Sequence, residues 1–369
     1  MKKIIHLTSV HTRYDIRIFY KMCSSLANHG YDVNLVVADG KGYEEKDNVK
    51  IFDIGKASSR LERMIKSTVL IYKRALSLNG DIYHIHDPEL LPYAYLLKLK
   101  GKVVVFDSHE DTPRQILTKP YINKIFLRAI SFIYEKIEKF ICRKLDHIIT
   151  ATPYIKDIFL NYNKNTLDIN NYPLLGELEY SKKINKKKQI CYVGGIMPIR
   201  GIFELVDSIQ YVKNDISLVI AGNFLEGISE KELSKRISKE KLELKGFLNR
   251  VNVCKLLSES LAGVVIFLPL SNHINSQPNK MFEYMSADLP VIASNFPLWK
   301  EIIEGNKCGI CVNPLNPKEI AEAIDYLYEH KEEAIRMGIN GKKAIYQKYN
   351  WNIEVKKLLI VYEELLKKV

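Results

Sequence analysis

The sequence has few cysteines and no long uncharged apolar run, and each absence excludes a class of protein. Six cysteines scattered over 369 residues do not form the framework of a disulfide-stabilised secreted domain and indicate reduced, mostly buried thiols. No stretch approaches the roughly 18 uncharged apolar residues that a membrane-spanning helix needs. The apolar run after Lys3 is broken by His6 and Thr8 before any signal-peptide cleavage site. We therefore expect a cytoplasmic protein.

Motifs of nucleic-acid-binding and redox proteins are also missing. The sequence has no spaced Cys/His finger, no basic region with heptads and no glycine-aromatic ribonucleoprotein signature, so we expect no nucleic-acid partner. Cys308 and Cys311 have the spacing of a redox or metal pair. A redox pair normally opens a helix, whereas Cys308 directly precedes a short predicted strand at 309–312 and Cys311 lies within it, so we interpret both cysteines as structural.

Length, composition and charge indicate a folded protein with an anionic partner. The length favours two domains, and 47% hydrophobic with 27% charged residues is typical of soluble globular proteins. The net charge is +12, and residues 1–175 carry 27 basic against 19 acidic side chains. Such an excess favours a phosphate-bearing small molecule or an anionic lipid surface as partner.

Apolar runs of strand length alternate with helix-period segments in both halves of the chain. Strands are predicted at 4–10, 33–38, 82–85, 103–106, 147–150, 189–193, 218–221, 243–246, 264–268, 291–293 and 309–312. Nearly continuous β-branched strands between helices indicate parallel sheets that are covered on both faces. We therefore predict two doubly wound α/β domains around a shared cleft, followed by a helical tail.

A glycine turn lies between a predicted strand and a predicted helix. Gly194-Gly195 follows strand 189–193, and Arg200 stands just before a helix that begins near Ile202. Glycines let the backbone approach a ligand, while free helix amides and an arginine attract a diphosphate. The turn lacks both the Rossmann Gly-x-Gly-x-x-Gly and the Walker lysine, which argues against dinucleotide redox chemistry and nucleoside-triphosphate hydrolysis. The pattern alone also fits an ordinary tight turn.

A second group of polar residues lies at 278–285. Pro278 favours a helix start, so the residues before it are expected to expose unpaired amides. Glu283 lies one turn behind Asn279 and Lys280, where its carboxylate can accept hydrogen bonds from a diol such as ribose. A solvated glutamate on an amphipathic helix would have the same spacing, so both interpretations stay open.

The order of the motifs along the chain carries a family resemblance. The second half contains Gly194-Gly195 to Arg200-Gly201, then Gly246-Phe247-Leu248, then Pro278 to Glu283 with Leu289-Pro290-Val291. The first half contains His84-Ile85-His86-Asp87-Pro88 and Asp107-Ser108-His109-Glu110, and Trp351 opens the last helix. Over essentially the whole chain, this ordered set resembles the retaining glycosyltransferases of family 4, which have the GT-B fold.

The resemblance implies a GT-B architecture, with two Rossmann-like doubly wound parallel-sheet domains that face a central cleft. It implies an acceptor-binding domain at 1–170 and a nucleotide-sugar-binding domain at 171–350. The C-terminal helix at 351–369 would then pack back on the first domain.

The resemblance also implies roles for individual residues. Arg200 would contact the donor diphosphate, Glu283 the donor ribose, and His109 the transferred sugar, which makes these three the predicted catalytic residues. The donor-binding set is Gly194, Gly195, Arg200, Phe247, Leu248, Asn275, Asn279, Lys280 and Glu283, with the nucleobase near Phe247 and Leu248. Such enzymes need no metal or other cofactor, and the chain has no Asp-x-Asp pair to hold a metal beside a diphosphate. Cationic groups then stabilise the leaving group.

Two positions depart from the family pattern. Gly195 stands where family members often have an arginine, and Lys280 is our candidate for the second phosphate ligand. Asn275 stands where the Glu-x7-Glu pattern has its first carboxylate, which normally meets the donor sugar. Asparagine is still able to bond a sugar hydroxyl.

On the acceptor side, we expect Arg13, Arg17, His86, Asp87 and Glu110. The two arginines follow the first strand, and the other three lie at the carboxyl ends of strands, where ligands bind in such folds. A surface ion pair is the alternative for Arg17. His84 is interpreted as packing at a strand end.

Residues 114–145 are both basic and apolar. They carry eight basic and two acidic side chains, interleaved with large apolar residues. Such a helix could lie on an anionic membrane. A core-facing helix with a solvated basic face is the alternative.

We therefore predict a hexosyl- or N-acetylhexosaminyl-type glycosyltransferase (EC 2.4) that uses a nucleotide-sugar donor. Its acceptor would be a glycan, expected to be lipid-linked, in bacterial O-antigen, capsule or exopolysaccharide synthesis, and the protein would be peripheral on the inner face of the cell membrane. A nucleotide-sugar epimerase of the same architecture and a noncatalytic nucleotide-sugar-binding scaffold are the alternatives. A dehydrogenase is a weaker one.

Overall fold

The computed structural model describes residues 1–117, 123–179, 185–225 and 227–368, and the chain divides into two compact units. The N-terminal unit comprises Met1–Asn171 and Trp351–Val369, and the C-terminal unit comprises Tyr172–Asn350. The last helix therefore belongs to the N-terminal unit, although it follows the C-terminal unit in sequence.

The N-terminal unit is built on an eight-stranded sheet in the order β3-β4-β2-β1-β5-β6-β7-β8. Its strands are β1 Lys3–Leu7, β2 Asp32–Val37, β3 Glu44–Lys46, β4 Val49–Asp53, β5 Ile82–Ile85, β6 Val103–Ser108, β7 His147–Thr150 and β8 Thr166–Asp168. All neighbours are parallel except β3, which runs antiparallel to β4. The strand order reverses direction between β1 and β5, and such a switch point opens a crevice at the carboxyl ends of the strands.

Helices cover both faces of this sheet and bury its apolar side chains. The helices are Ser24–Asn28, Arg60–Glu62, Thr68–Leu78, Leu91–Leu99, Thr112–Leu117, Lys124–Cys142, Pro153–Leu160 and Trp351–Leu366, with π-helical turns at Ile16–Cys23 and Arg63–Ser67 and a 3₁₀ turn at Pro88–Leu90. Asp15 caps the first of these segments, because its carboxylate accepts the Arg17 and Ile18 amides. Burial on both sides of the sheet explains why its central strands are mostly apolar.

The C-terminal unit is built on a six-stranded parallel sheet in the order β11-β10-β9-β12-β13-β14. Its strands are β9 Gln189–Val193, β10 Ser217–Ala221, β11 Leu242–Leu244, β12 Gly263–Val265, β13 Val291–Ser294 and β14 Gly309–Val312. Its helices are Ile202–Ser208, Glu230–Ser234, Arg250–Glu259, Ser271–Ile274, Asn279–Ser286, Pro297–Ile303, Pro317–Glu329 and Lys331–Gln347, with 3₁₀ turns at Pro198–Arg200 and Ile209–Tyr211. The switch point lies between β9 and β12. The predicted fold class, two doubly wound parallel-sheet α/β domains, is confirmed.

Three strands of the first sheet escaped sequence-based prediction, and the first predicted strand of that sheet is too long. The outer strands β3 and β8 have three residues each, and Glu44–Lys46 is wholly charged, so neither shows an apolar pattern. Strand β4 was missed as well. The predicted strand 4–10 ends at Leu7, because the backbone then turns so that the Ser9 and Val10 amides donate to Asp87.

The final helix is held on the N-terminal unit by buried polar contacts. The Trp351 indole N–H donates to the Ser25 hydroxyl at 2.9 Å, and the Asn170 amide donates to the buried Glu354 carboxylate at 2.8 Å. Further along, the Tyr362 hydroxyl lies 2.6 Å from His84 Nδ1. No helix of the described ranges combines the length and the apolarity that crossing a bilayer requires.

Candidate functional site

The glycine turn after β9 is built so closely that side chains would not fit. Gly194 has φ +129°, and a Cβ there would lie 2.9 Å from Lys280 Nζ. A Cβ on Gly222, which follows β10, would lie 2.0 Å from the Gly194 carbonyl oxygen. Gly194 therefore favours glycine because of its positive φ, and Gly222 requires glycine because a side chain there would overlap the backbone of Gly194.

Arg200 and Tyr192 hold the second glycine of the turn. The Tyr192 hydroxyl donates to the Gly195 carbonyl at 2.8 Å, and Arg200 Nη1 donates to the same oxygen at 3.2 Å. The Arg200 guanidinium also lies 5.7 Å from the centre of the Phe267 ring. Arg200 is half-buried and stands directly before Gly201, whose left-handed conformation starts the next helix.

Lys280 places a second cation against this turn. The residue is buried, and its Nζ lies 3.5 Å from the centre of the Tyr192 ring with no hydrogen-bond partner among the described residues. Burial and the neighbouring Arg200 hold the pKa of Lys280 well below that of an exposed lysine, although Glu283 opposes this shift. Burial therefore disfavours the charged form of Lys280, and an anionic ligand at the turn would supply both a hydrogen-bond acceptor and the negative charge that favours the ammonium.

Glu283 lies on the same helix as Lys280 and is paired with an arginine that the sequence did not reveal. Arg250 Nη1 donates to Glu283 Oε1 at 2.7 Å, and Arg250 Nε donates to Glu177 Oε1 at 2.7 Å. Although burial opposes it, the two carboxylates raise the pKa of Arg250. Arg250 is the first residue of the helix that Asn249 caps, and it lies two residues after the predicted nucleobase segment Phe247-Leu248. That closeness in sequence is the signal that could have pointed to Arg250.

The other predicted donor residues lie on loops at the carboxyl ends of β11 and β12. Phe247 is 75% exposed, whereas Leu248 packs on the core of its unit. Asn275 is half-buried at the end of helix Ser271–Ile274, and Asn279 is the exposed first residue of helix Asn279–Ser286. Contacts join Gly194, Gly195, Arg200 and Lys280, whereas Phe247, Asn275 and Asn279 lie on the segments that follow β11 and β12 in sequence.

In the N-terminal unit, histidines from neighbouring strands stack at the switch point. His6 on β1 lies beside His84 on β5, with ring centres 4.7 Å apart, and the His84 and His86 rings are 4.5 Å apart. His6 Nδ1 and His86 Nε2 share a hydrogen bond of 2.8 Å. Burial lowers the pKa of all three imidazoles, so we treat them as neutral. His84 packs inside the unit, in line with its interpretation from the sequence.

Asp107, at the end of β6, accepts hydrogen bonds from the donors around it. It is fully buried and accepts hydrogen bonds from Arg17, His86 and His109. Burial raises the pKa of Asp107, but these cationic and N–H partners outweigh it and hold that pKa well below its usual range. The sequence had a signal for Asp107, because it precedes His109 by two residues and so belongs to the same side of the strand end.

Asp87 anchors the loop after β1. Its Oδ2 accepts the Thr8 hydroxyl at 2.8 Å and the Ser9 amide at 2.6 Å, and its Oδ1 lies 3.5 Å from His11 Nε2. Glu110 is exposed, and its carbonyl accepts the Ser108 hydroxyl. The structure therefore gives Asp87 a backbone-anchoring contact and leaves the Glu110 side chain at the surface.

Arg13 and Arg17 are both buried against carboxylates. Arg13 donates to Asp39 through Nε and Nη2 and to Glu44 through Nη1. Arg17 donates to both oxygens of Asp107 at 2.6 and 2.9 Å. The alternative of a surface ion pair for Arg17 is therefore wrong, since the pair lies in the interior. The acceptor-side role of both arginines stays a prediction.

Among the described residues, two groups of side chains each bring three possible metal ligands together. These are His6 with His84 and His86, and His86 with Asp107 and His109. Arg17 already donates to both oxygens of Asp107, so a cation there would meet the guanidinium charge at close range. The His6–His86 hydrogen bond would have to break before both nitrogens could bind an ion. The geometry thus favours a hydrogen-bonded cluster over a metal centre.

Family models match both halves of the chain. Residues 17–167 match the model described as Glycosyltransferase Family 4, and residues 177–344 match the model described as Glycosyl transferases group 1. The capsular polysaccharide biosynthesis glycosyltransferase CapM of Staphylococcus aureus is 23% identical, with 99% of this chain and 98% of CapM covered.

Solved structures share the fold of the whole chain. Sucrose-phosphate synthase of Thermosynechococcus elongatus superposes with a TM-score of 0.81 at 15% identity and covers 100% of both chains. Anabaena HepE in complex with UDP-glucose gives a TM-score of 0.75 at 13% identity and covers 99% of both chains. Taken with the two family models, these likenesses place the chain among the GT-B glycosyltransferases.

Proposed function

We propose that this glycosyltransferase moves a sugar, with retention, from a nucleoside diphosphate sugar to a glycan acceptor. The observation that carries the donor assignment is the buried Lys280 amino group, which has no described hydrogen-bond partner and lies beside Arg200 at the glycine turn. A diphosphate would favour the protonated form of Lys280, and its oxygens would accept charge-assisted hydrogen bonds from Lys280 and Arg200. HepE, which has the same fold, was crystallised with UDP-glucose, and this supports a nucleotide-sugar donor.

The rest of the donor has a proposed place around these cations. Glu283 binds the ribose with one oxygen free of Arg250, and the exposed Phe247 with Leu248 receives the nucleobase. Asn275 meets the sugar. In this layout Lys280 takes over the phosphate contact that Gly195 cannot make, and Arg200 with Lys280 stabilises the charge that develops on the leaving diphosphate.

The acceptor side is proposed to lie in the N-terminal unit. His109, which is partly exposed and held by Asp107, approaches the transferred sugar, while Arg13, Arg17, His86, Asp87 and Glu110 shape the acceptor side. The transferred group is a hexosyl or N-acetylhexosaminyl unit, and the pathway is synthesis of a bacterial O-antigen, capsule or exopolysaccharide. The full-length likeness to CapM supports that pathway.

Transfer assays test this function. A thermal-shift screen of UDP-, GDP- and dTDP-sugars selects the donor, and the protein is then incubated with that donor and with lipid-linked glycan acceptors. We expect a new glycosidic bond with the anomeric configuration of the donor, read by NMR. Inversion would exclude retention, C2 epimerisation without acceptor would favour the epimerase, and donor binding without turnover would favour the noncatalytic scaffold.

The outer face of helix Lys124–Cys142 supports peripheral membrane binding. Its inner face, which includes Leu127, Ile141 and Cys142, is buried on the N-terminal unit. Its outer face carries large apolar side chains that are 46 to 74% exposed, namely Ile125, Phe126, Ile130, Phe132, Ile133, Ile137 and Phe140. The alternative of a helix that only covers the sheet explains the inner face and leaves the outer one without a role.

Basic residues accompany this apolar face. Arg128, Lys136, Lys139, Arg143 and Lys144 are exposed or partly exposed on the helix and its end, whereas Lys119 lies outside the described residues. An amphipathic helix of this kind inserts its apolar side chains among lipid tails while its cations meet anionic headgroups. We propose that the enzyme lies on the inner face of the cell membrane, where a lipid-linked acceptor would be within reach.

Replacing Lys136, Lys139, Arg143 and Lys144 by glutamine is expected to weaken binding to anionic vesicles. Each basic residue near such a surface contributes about 1 kcal/mol, and salt screens this attraction over about 8 Å at physiological ionic strength. Vesicle sedimentation at rising phosphatidylglycerol content and rising salt measures the effect. The matched control replaces the exposed Lys231, Lys235, Lys239 and Lys255 of the C-terminal unit, which changes the net charge equally. Equal sedimentation of both variants and wild type would contradict the membrane assignment.

Glycosyl transfer is expected to survive EDTA. We propose that the enzyme needs no metal or other cofactor, because Arg200 and Lys280 are positioned to balance the diphosphate charge that a divalent ion would otherwise balance. The measurement is product formation before and after chelation, with Mg²⁺ and Mn²⁺ added back. Loss of transfer on chelation that either ion restores would contradict this donor site.

A further inference from the structure

Asp107, which is absent from the predicted catalytic set, is the centre of a buried hydrogen-bonded group. Its Oδ1 accepts Arg17 Nη2 at 2.6 Å. Its Oδ2 lies 2.9 Å from Arg17 Nε, 3.1 Å from His86 Nδ1 and 2.9 Å from His109 Nε2. Asp107, Arg17 and His86 are buried, whereas the His109 side chain is 20% exposed. The group therefore connects the interior of the unit to the one member that a ligand can reach.

The carboxylate decides which nitrogen of His109 carries the proton. An ionised carboxylate only accepts hydrogen bonds, so His109 Nε2 must donate. In the neutral ring, the lone pair is then on Nδ1, which makes no hydrogen bond within the part of the chain that the structure describes. The His86 and His11 rings lie 5.8 and 5.2 Å from the His109 ring, which leaves the imidazole little freedom to turn.

The same proton order continues into the interior. His86 Nδ1 donates to Asp107, so the neutral His86 ring accepts at Nε2 from His6 Nδ1 at 2.8 Å. His6 Nε2 in turn lies 3.5 Å from the Tyr362 hydroxyl on the final helix. One buried negative charge thus sets the tautomers of His86 and His6 as well as that of His109.

We propose that Asp107 is a positioning residue for glycosyl transfer, which holds His109 as the Nε2–H tautomer so that Nδ1 accepts a hydrogen bond from a hydroxyl of the transferred sugar. This inference rests on the proposed function, in which His109 approaches that sugar. Arg17 balances the carboxylate charge and fixes its orientation through two hydrogen bonds, so that Asp107 stays ionised in the interior. Asp107 itself need not touch the substrate.

Asp107→Asn is expected to lower kcat about 10- to 100-fold, the effect of losing about one hydrogen bond in the transition state, with KM for the donor nearly unchanged. The side-chain amide of the Asp107→Asn variant donates hydrogen bonds, whereas the Asp107 carboxylate only accepts them. His109 Nε2 then accepts from this amide, and the His109 proton moves to Nδ1. In a His109→Ala background, Asp107→Asn should lower kcat no further, because Asp107 acts through His109. Losses that multiply in the double variant would overturn the proposal.

Nitrogen-15 NMR of histidine reads the tautomer without any assay of activity. The His109 signals are assigned as those missing from His109→Ala, and we expect the wild-type ring to carry its proton on Nε2. A wild-type His109 protonated on Nδ1 alone would overturn the proposal even if Asp107→Asn does not fold. A wild type with the expected tautomer but without transfer to any acceptor would instead count against the proposed function.

Asp168→Asn is the matched control. Asp168 is a buried aspartate of the same unit, and it pairs with Lys156 at 2.7 Å and with Asn170, without a histidine partner. Its replacement removes a comparable buried charge and is expected to leave both kcat and the His109 tautomer unchanged. A fall in kcat equal to that of Asp107→Asn would mean that loss of any buried carboxylate in this unit impairs the enzyme, which would overturn the specific role of Asp107.

Discussion

Arg200→Ala and Glu283→Ala are each expected to weaken binding of nucleoside diphosphate by about 1.5 to 3 kcal/mol, which is roughly 10- to 150-fold in Kd. Each change removes a charged group to which the proposed donor site assigns hydrogen bonds to the ligand. Arg200 donates to the glycine turn beside Lys280, and Glu283 is held in place by a hydrogen bond from Arg250. Titration calorimetry with UDP, GDP and dTDP measures the loss.

Both variants are expected to stay folded. Arg200 makes its recorded hydrogen bond to one carbonyl of the turn, and Arg250 keeps Glu177 as a partner when Glu283 is removed. Arg236→Ala is the control, since Arg236 pairs with Asp207 at the surface of the same unit. Wild-type affinity in both site variants would show that the diphosphate and ribose bind elsewhere.

Trp351→Ala is expected to lower the free energy of unfolding by about 3 to 5 kcal/mol, the range for deleting a large buried aromatic side chain. Trp351 is 2% exposed and starts the helix that returns to the N-terminal unit. The change opens a cavity and leaves the Ser25 hydroxyl without its indole donor. Denaturant unfolding followed by circular dichroism measures the difference.

Ile360→Ala on the same helix provides the comparison. Ile360 is 56% exposed, so its truncation should change stability by less than about 0.5 kcal/mol. If Trp351→Ala were as stable as Ile360→Ala, the final helix would contribute little to the stability of the N-terminal unit.

The sequence alone determined the architecture because its signals are local. A run of β-branched residues such as Val103–Val105 in β6 has to be buried on both faces, and the alternation of such strands with helix-period segments predicts a parallel doubly wound sheet. Glycines and charged residues that directly follow a strand lie at its carboxyl end whatever the rest of the chain does. Gly194 and His109 could therefore be placed at strand ends from the sequence alone.

The tertiary structure decided which side chains meet and which faces stay uncovered. Arg250 and Glu283 are 33 residues apart, and Arg17 and Asp107 are 90 apart, so no periodicity or local motif pairs them. The outer strand β3 depends on pairing with β4 rather than on its own charged residues. The two apolar faces of helix Lys124–Cys142 look alike in sequence, because one face becomes core only when the sheet is folded beneath it. Such relations are set by long-range packing, and they placed Asp107 behind His109 and left Lys280 buried beside the glycine turn.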